Sequence, residues 1–144
     1  MIIKNNNNDI NLITGGAGFI GTNLIGYLLE KNEKVICIDD FTSGSSLNIK
    51  KWIKHPNFKF IEEDITNNID IRSHKIWHLA CPASPAKYNI NQLKTLKTGF
   101  IGTLNMLNLS KKYNSKFLLT SSSEIYGKSY KIPQTEFYIT SDSP

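Results

Sequence analysis

Three glycines, Gly15, Gly18 and Gly21, separate a short apolar run, Asp9–Thr14 (DINLIT), from a stretch with helical spacing. Glycine at the first position permits a tight turn off a strand, and at the second it lets backbone approach a pyrophosphate. At the third it lets a helix pack close to a sheet. A helix opening at Phe19 would add free N–H groups and the positive end of its dipole. Asp39 closes the next apolar run, 18 residues beyond Gly21, where a carboxylate can accept hydrogen bonds from an adenosine ribose. A purely structural glycine turn is the plainer alternative, but the order strand, glycines, helix, strand-end acid favours a dinucleotide. The Asp39–Asp40 pair would repel a 2′-phosphate and has no arginine near it in sequence, so NAD is expected over NADP. Asp64 suits the adenine edge or, equally, a turn cap.

Such residues act only if strands and helices hold them together. Lys34–Asp39 (KVICID), Phe58–Glu62 (FKFIE), Lys75–Ala80 (KIWHLA) and Lys116–Thr120 (KFLLT) read as four more strands after Asp9–Thr14. Ile20, Leu24, Ile25, Leu28 and Leu29 give a helix over 19–31, and a short one is expected over 46–54. Leu93, Leu96, Phe100, Leu104 and Leu107 recur at three and four residues, predicting a long helix over 91–112. Alternating strands and helices imply a parallel sheet covered on both faces, with ligands at the carboxyl ends of its strands. The unusual residues fall at those ends: 15–21, 39–44, 64–65, 81–85 and 121–127.

Composition narrows the class. The 144-residue chain is 40% hydrophobic and 10% aromatic, enough for a packed core and too much for a disordered chain. No apolar run approaches the roughly 20 residues that span a bilayer. Met1–Lys4, followed by four asparagines, lacks the apolar centre of a secretory signal. Neither membrane insertion nor secretion is expected. The formal net charge of +5 does not point to nucleic acid, because sixteen of the 17 basic residues are scattered lysines and Arg72 stands alone. Dedicated binders favour arginine. The two cysteines, Cys37 and Cys81, have no metal spacing and lie among apolar neighbours, as reduced thiols do. A cytoplasmic location and no metal are expected.

Thr14–Gly21 (TGGAGFIG) resembles the glycine motif of extended short-chain dehydrogenases/reductases, the NAD-dependent epimerase/dehydratase family. His78–Pro85 (HLACPASP) is more specific, with Tyr88, Asn91 and Thr95-Leu96-Lys97-Thr98 downstream. With Gly102–Leu107 and Ser122–Gly127 it resembles the UDP-glucuronate decarboxylases, a likeness running from about Asn11 to Glu136. Pro82-Ala83-Ser84-Pro85 is the segment that points to the decarboxylases.

The resemblance implies an α/β fold, a Rossmann-like doubly wound parallel sheet that stops after about five strands. Residues 1–8 would form a flexible segment and 9–144 an incomplete NAD-binding domain without its C-terminal substrate region. Implied cofactor contacts are Gly15, Gly18, Phe19, Ile20, Asp39, Asp40, Phe41, Ser43, Gly44, Asp64, Ile65, Leu79, Cys81 and Thr98. Lys97 and Asn105 would touch the nucleotide sugar, UDP-glucuronate. Ser122 would hydrogen-bond the reacting hydroxyl, and Glu124 would assist the sugar during decarboxylation. The implied reaction oxidises the sugar at C4, loses CO₂ from the resulting β-keto acid and reduces the 4-keto pentose to UDP-xylose. A homodimer through the long-helix region is implied as well.

Spacing alone reads several of these residues more plainly. Lys97 would be a solvated helix lysine, Ser122 a turn hydrogen-bonder and Glu124 a surface acid. Tyr126 would be a packing residue, His78 a packed and hydrogen-bonded histidine, and Cys81 no nucleophile.

The sequence also departs from the family's pattern. Members carry a Tyr-x-x-x-Lys pair, the general base and its lysine, on the helix after the fifth strand, and none follows Lys116–Thr120 here. This chain by itself is therefore expected to have little or no decarboxylase activity, and its fifth strand to be an exposed edge. Gly99 replaces an asparagine, Ile69-Asp70 a Leu-Tyr that contacts substrate, and Asp40 an asparagine. Pro133-Gln134-Thr135-Glu136 is kept, while Ile139–Asp142 diverges. Two alternatives stay open: another nucleotide-sugar epimerase or dehydratase, and a non-catalytic NAD-binding module.

Overall fold

Runs rich in Ile, Leu, Val and Phe pair in parallel to make one sheet: β1 (Ile10–Thr14), β2 (Lys34–Asp39), β3 (Phe58–Glu62), β4 (Lys75–His78) and β5 (Lys116–Leu119). The computed structural model describes residues 9–126 and 132–136. The expected segment 1–8, Gly127 and Ile139–Asp142 lie outside the described residues. Strand order is β3-β2-β1-β4-β5. The chain steps outward from β1 to β3, crosses back to β4, and so leaves a switch point between β1 and β4. In an open parallel sheet that is where a ligand crevice forms. The expected doubly wound, Rossmann-like sheet is present.

Alternation along the strands builds a core on each face. On one side Ile13, Val35, Cys37 and Phe58 pack against Ile25, Leu28 and Leu29 of α1 (Phe19–Glu30) and Ile49 of α2 (Ser46–Ile49). On the other, Leu12, Ile38 and Ile76 pack against Met106 and Leu109 of α5 (Thr103–Tyr113), with Ile65 between. Each such fully buried aliphatic side chain contributes about 1.5–3 kcal/mol, which is why short helices with weak caps hold their places. Both long helices stop on a left-handed asparagine. Asn32 has φ +59° and Asn114 φ +53°, and the next N–H turns back, Glu33 to the Leu28 carbonyl at 3.0 Å and Ser115 to Ser110 at 2.9 Å.

Several expectations need correction. The 46–54 helix is α2 followed by a 3₁₀ turn, Lys50–Trp52. Pro85–Tyr88, outside every expected element, is one helical turn (α3), and Ser123–Tyr126 is a 3₁₀ turn. The long helix begins as α4 (Gln92–Lys97) and widens into a π turn at Thr98–Gly102 before α5. Its apolar repeat marks the face it shows to solvent: Leu93, Leu96, Phe100, Leu104 and Leu107 are all exposed, while Thr98, Gly102, Met106 and Leu109 are buried. Ile20 is exposed too, because it sits on the first turn of α1, above the sheet's carboxyl edge. Cys37 is buried as expected, but Cys81 is exposed. β5 is a sheet edge, with Leu118 and Leu119 exposed.

Candidate functional site

The turn after β1 shows why glycine is needed. Gly15 has φ +72°, a conformation costing an L-residue roughly 1–2 kcal/mol. A Cβ there would lie 2.8 Å from the Ala80 backbone and the Leu79 carbonyl carbon. The turn thus presses on the exit of β4, across the switch point. A Cβ on Gly21 would meet Gly15 O and Gly16 Cα at 2.5 Å, so the helix and its own turn are in van der Waals contact. Gly18 precedes α1 without a side-chain cap, and the first turn of α1 carries no acid. Phe19 and Ile20 are exposed beside it. An uncapped helix start with its N–H groups facing outward is where an anionic phosphate is stabilised.

Asp39 ends β2 beside this turn and is buried. One carboxylate oxygen accepts from Ala17 N at 2.9 Å and the other from Phe41 N at 2.8 Å. Burial pushes its pKa above the usual value while those two N–H bonds oppose the shift. A carboxylate has about four acceptor sites, so both oxygens keep capacity for a diol. Phe41 is held in a left-handed conformation, φ +56°, with its ring 5.2 Å from Phe60. Non-glycine residues adopt that region only when surroundings impose it. The Ala17 carbonyl accepts from Ser45 N at 3.2 Å and Asn48 Nδ2 at 2.7 Å. These bonds tie the glycine turn to the segment carrying exposed Ser43 and half-buried Gly44.

A lysine on α4 joins two of the acids. Lys94 Nζ lies 2.6 Å from Asp40 Oδ2 and 3.2 Å from Asp64 Oδ2. Burial alone would raise the Asp40 carboxyl, but the bonds from Lys94 and Thr42 outweigh it and hold it low. Asp64 is likewise held low against burial, by its bonds to Thr66 and Lys94. Its Oδ1 caps Thr66 N at 2.8 Å, the turn-cap geometry weighed above. Sequence reasoning missed Lys94, since nothing in the spacing of a helix lysine shows which loops fold against it.

Beneath the switch point His78 is buried and bonded on both sides, Nδ1 to Thr14 Oγ1 at 2.7 Å and Nε2 to Thr103 Oγ1 at 3.0 Å. Burial pushes its pKa down to about 4. It is the packed histidine expected. Leu79 N donates to Thr14 O at 3.1 Å, which keeps the β4 exit against β1. Cys81 lies two residues on and is exposed, while partial desolvation of its thiol raises that pKa.

The remaining candidates divide between the crevice and the frame. Thr98 is buried in the π turn, and Ile65 is part of the core beneath α5. Asn105 Nδ2 reaches the carbonyls of Ile65, Thr66 and Asn67 at 3.0–3.1 Å, clamping the loop after β3. Lys97 is exposed. Ser122 is exposed after β5, its carbonyl accepting from Ile125 N at 3.3 Å. Glu124 lies in the turn Ser123–Tyr126, its side chain outside the described residues. One Tyr-x-x-x-Lys spacing does occur, Tyr27 to Lys31, and sequence reasoning passed over it. It lies at the far end of α1 from the glycine turn, with the ammonium 4.7 Å from the ring centroid. Asp70, one of the departures, bonds Lys112 at 2.7 Å and Tyr113 Oη at 2.6 Å. No group of three or more potential metal ligands occurs among the described residues, and no helix there is long and apolar enough to cross a membrane.

Known proteins are similar to this chain in sequence and fold. Over 129 residues the chain is 53% identical to UDP-glucuronic acid decarboxylase 6 of Arabidopsis thaliana, a match covering 88% of this chain and 37% of that protein. The chain thus spans just over a third of the length of that relative. Among solved structures, the UDP-N-acetylglucosamine 4-epimerase of Methanobrevibacter ruminantium, in complex with UDP-N-acetylmuramic acid, superposes with a TM-score of 0.80. It is 28% identical, over 92% of this chain and 44% of that one. The UDP-glucose 4-epimerase of Thermotoga maritima, with UDP-glucose, gives 0.76 at 33% identity, over 90% and 44%. Residues 12–144 match the GDP-mannose 4,6 dehydratase family, from the middle of β1 through every later strand, and the chain belongs to that family.

Proposed function

We propose that the protein is an NAD-dependent UDP-glucuronate decarboxylase, of which this chain supplies the cofactor-binding part. The observation that carries the cofactor half is the close approach of the Gly15 turn to the β4 exit beside Asp39. It leaves a crevice floor of bare backbone, an uncapped helix start and a strand-end carboxylate, a set that fits a dinucleotide. The sugar half rests on the identity to the Arabidopsis relative and on Pro82-Ala83-Ser84-Pro85 after β4.

Within that reading, the α1 N–H groups would hold the pyrophosphate and Asp39 the adenosine ribose. Bound NAD would supply reversible hydride chemistry at the sugar C4. The chain's own residues bind and orient. Ser122, after β5, would hydrogen-bond the reacting hydroxyl, and Glu124 would assist the sugar during decarboxylation. Lys97 and Asn105 would meet the nucleotide sugar, Asn105 through the loop it already clamps. Positioning of this kind raises the rate by fixing reactants in near-attack geometry. The exposed Leu93–Leu107 stripe supports a homodimer joined along the long helix. A monomer mass by light scattering at micromolar concentration would count against that.

The test is to join this chain to the C-terminal substrate region of a decarboxylase relative, incubate the whole with UDP-glucuronate and follow products by NMR. UDP-xylose and CO₂ in equal amounts, with no net loss of NAD, are expected. A C4 epimer with its carboxylate retained would instead support the epimerase alternative, and NAD uptake with no product the binding-module alternative.

A further inference from the structure

Asp39, Asp40 and Asp64 converge where the loops after β2 and β3 meet, and a dinucleotide brings two negative phosphates to the same crevice. Three carboxylates there would repel it. Asp39 keeps its own charge turned toward the glycine turn, through Ala17 N at 2.9 Å. Asp40 and Asp64 face the other way, toward Lys94 at 2.6 and 3.2 Å. Helix geometry aims that lysine: Asn91 caps α4 by accepting from Lys94 N at 2.9 Å, and Thr95 Oγ1 is within 3.2 Å of Tyr88 O. The cap and the α3 turn thus fix the residues around Lys94, and its ammonium spans the gap between two loops.

We infer that Lys94 is a positioning and charge-compensating residue for the cofactor: it neutralises Asp40, ties the β2 and β3 loops to α4, and so makes the adenosine end of the crevice accept a dinucleotide. The inference rests on the cofactor reading above. It also gives Asp40 a partner, which the sequence comparison of that position with an asparagine did not. Charge-assisted pairs of this geometry are about twice as strong as neutral hydrogen bonds, and leaving Asp40 and Asp64 without their cation adds one uncompensated negative charge to an anion-binding crevice.

The experiment is calorimetric titration of the full chain with NAD at low salt. Lys94→Met should raise the dissociation constant about tenfold, and the loss should shrink in 1 M salt. Adding Asp40→Asn to Lys94→Met should restore affinity to within about threefold, because the second change removes the charge that Lys94 had offset. Lys94→Arg should keep most of the affinity. Lys112→Met, which breaks the comparable surface pair with Asp70, should leave NAD binding unchanged. A Lys94→Met affinity within twofold of the parent overturns the inference, as does a loss that Asp40→Asn fails to rescue. If Lys94→Met does not fold, the parent and Asp40→Asn chains still decide. Lys94 would then be free to hold Asp64 alone, and a tenfold loss from Asp40→Asn would contradict charge compensation. A folded parent chain that takes up no NAD overturns the cofactor reading itself, an outcome separate from any difference among variants.

Discussion

Gly15→Ala should lose about 2–5 kcal/mol of stability and with it measurable NAD binding, the sum of a left-handed backbone cost and backbone overpacking. The reason is local and geometric. The new Cβ would meet the Ala80 Cα and N and the Leu79 carbonyl carbon, all at 2.8 Å. No flexible side chain is there to swing away. Relief would require the β1 turn to withdraw from the β4 exit, opening the Leu79 N to Thr14 O bond of 3.1 Å at the switch point. Gly99→Ala is the internal comparison. Its Cβ would meet nothing within 4 Å, its φ is ordinary, and a helical glycine replaced by alanine gains about 0.5–1 kcal/mol. Urea midpoints of the two variants should therefore move in opposite directions. Equal shifts would show that the turn tolerates a side chain and that its glycine is not required by the contact.

The second large effect is a pH dependence from His78. Its pKa in the fold is about 4 against an ordinary 6.5, because burial disfavours the charged ring. A base whose folded pKa is depressed contributes stability above its unfolded pKa, and that stability drains away as pH falls toward the folded value. The window is pH 6.5 to 4, and the loss integrates to about 3 kcal/mol. Thr14 and Thr103 can each accept or donate, so the hydrogen bonds do not forbid protonation; desolvation does. Asp40 and Asp64, held low by their pairing, lose their contribution as pH drops below the ordinary carboxylate range, a lower window. Denaturation at pH 7, 5.5, 4 and about 3 separates the two. His78→Gln should flatten the slope between 6.5 and 4 and leave the acid limb in place. A parent chain with no slope in that window would contradict a neutral, desolvated His78.

Much of this was legible in the residues because the signals are local. The glycine turn, the five strands and Asp39 at a strand end each depend on neighbours within a few positions, and all lie where the spacing puts them. What failed depends on distant packing. The Leu93–Leu107 repeat reports a helix with an apolar face but not whether the sheet or solvent receives it. The small residues Thr98 and Gly102 let the opposite face approach the sheet, with a Cβ on Gly102 2.4 Å from the Ile65 side chain. Lys94 pairs with acids more than 25 residues away in sequence, and Asn105 reaches carbonyls 38 to 40 residues away. Neither partner carries a motif. The Asp70 substitution reads as an isolated oddity in sequence and as one half of a cluster with Lys112 and Tyr113 in the fold.

In the proposed function, NAD sits in the crevice between β1 and β4, against the glycine turn and Asp39. The most direct measurement is NAD titration of the folded full chain beside its Asp39→Ala variant. Saturable uptake of about one dinucleotide per chain is expected, weakened at least tenfold in the variant. Equal affinity in the two chains, or no uptake by a folded parent, would contradict it.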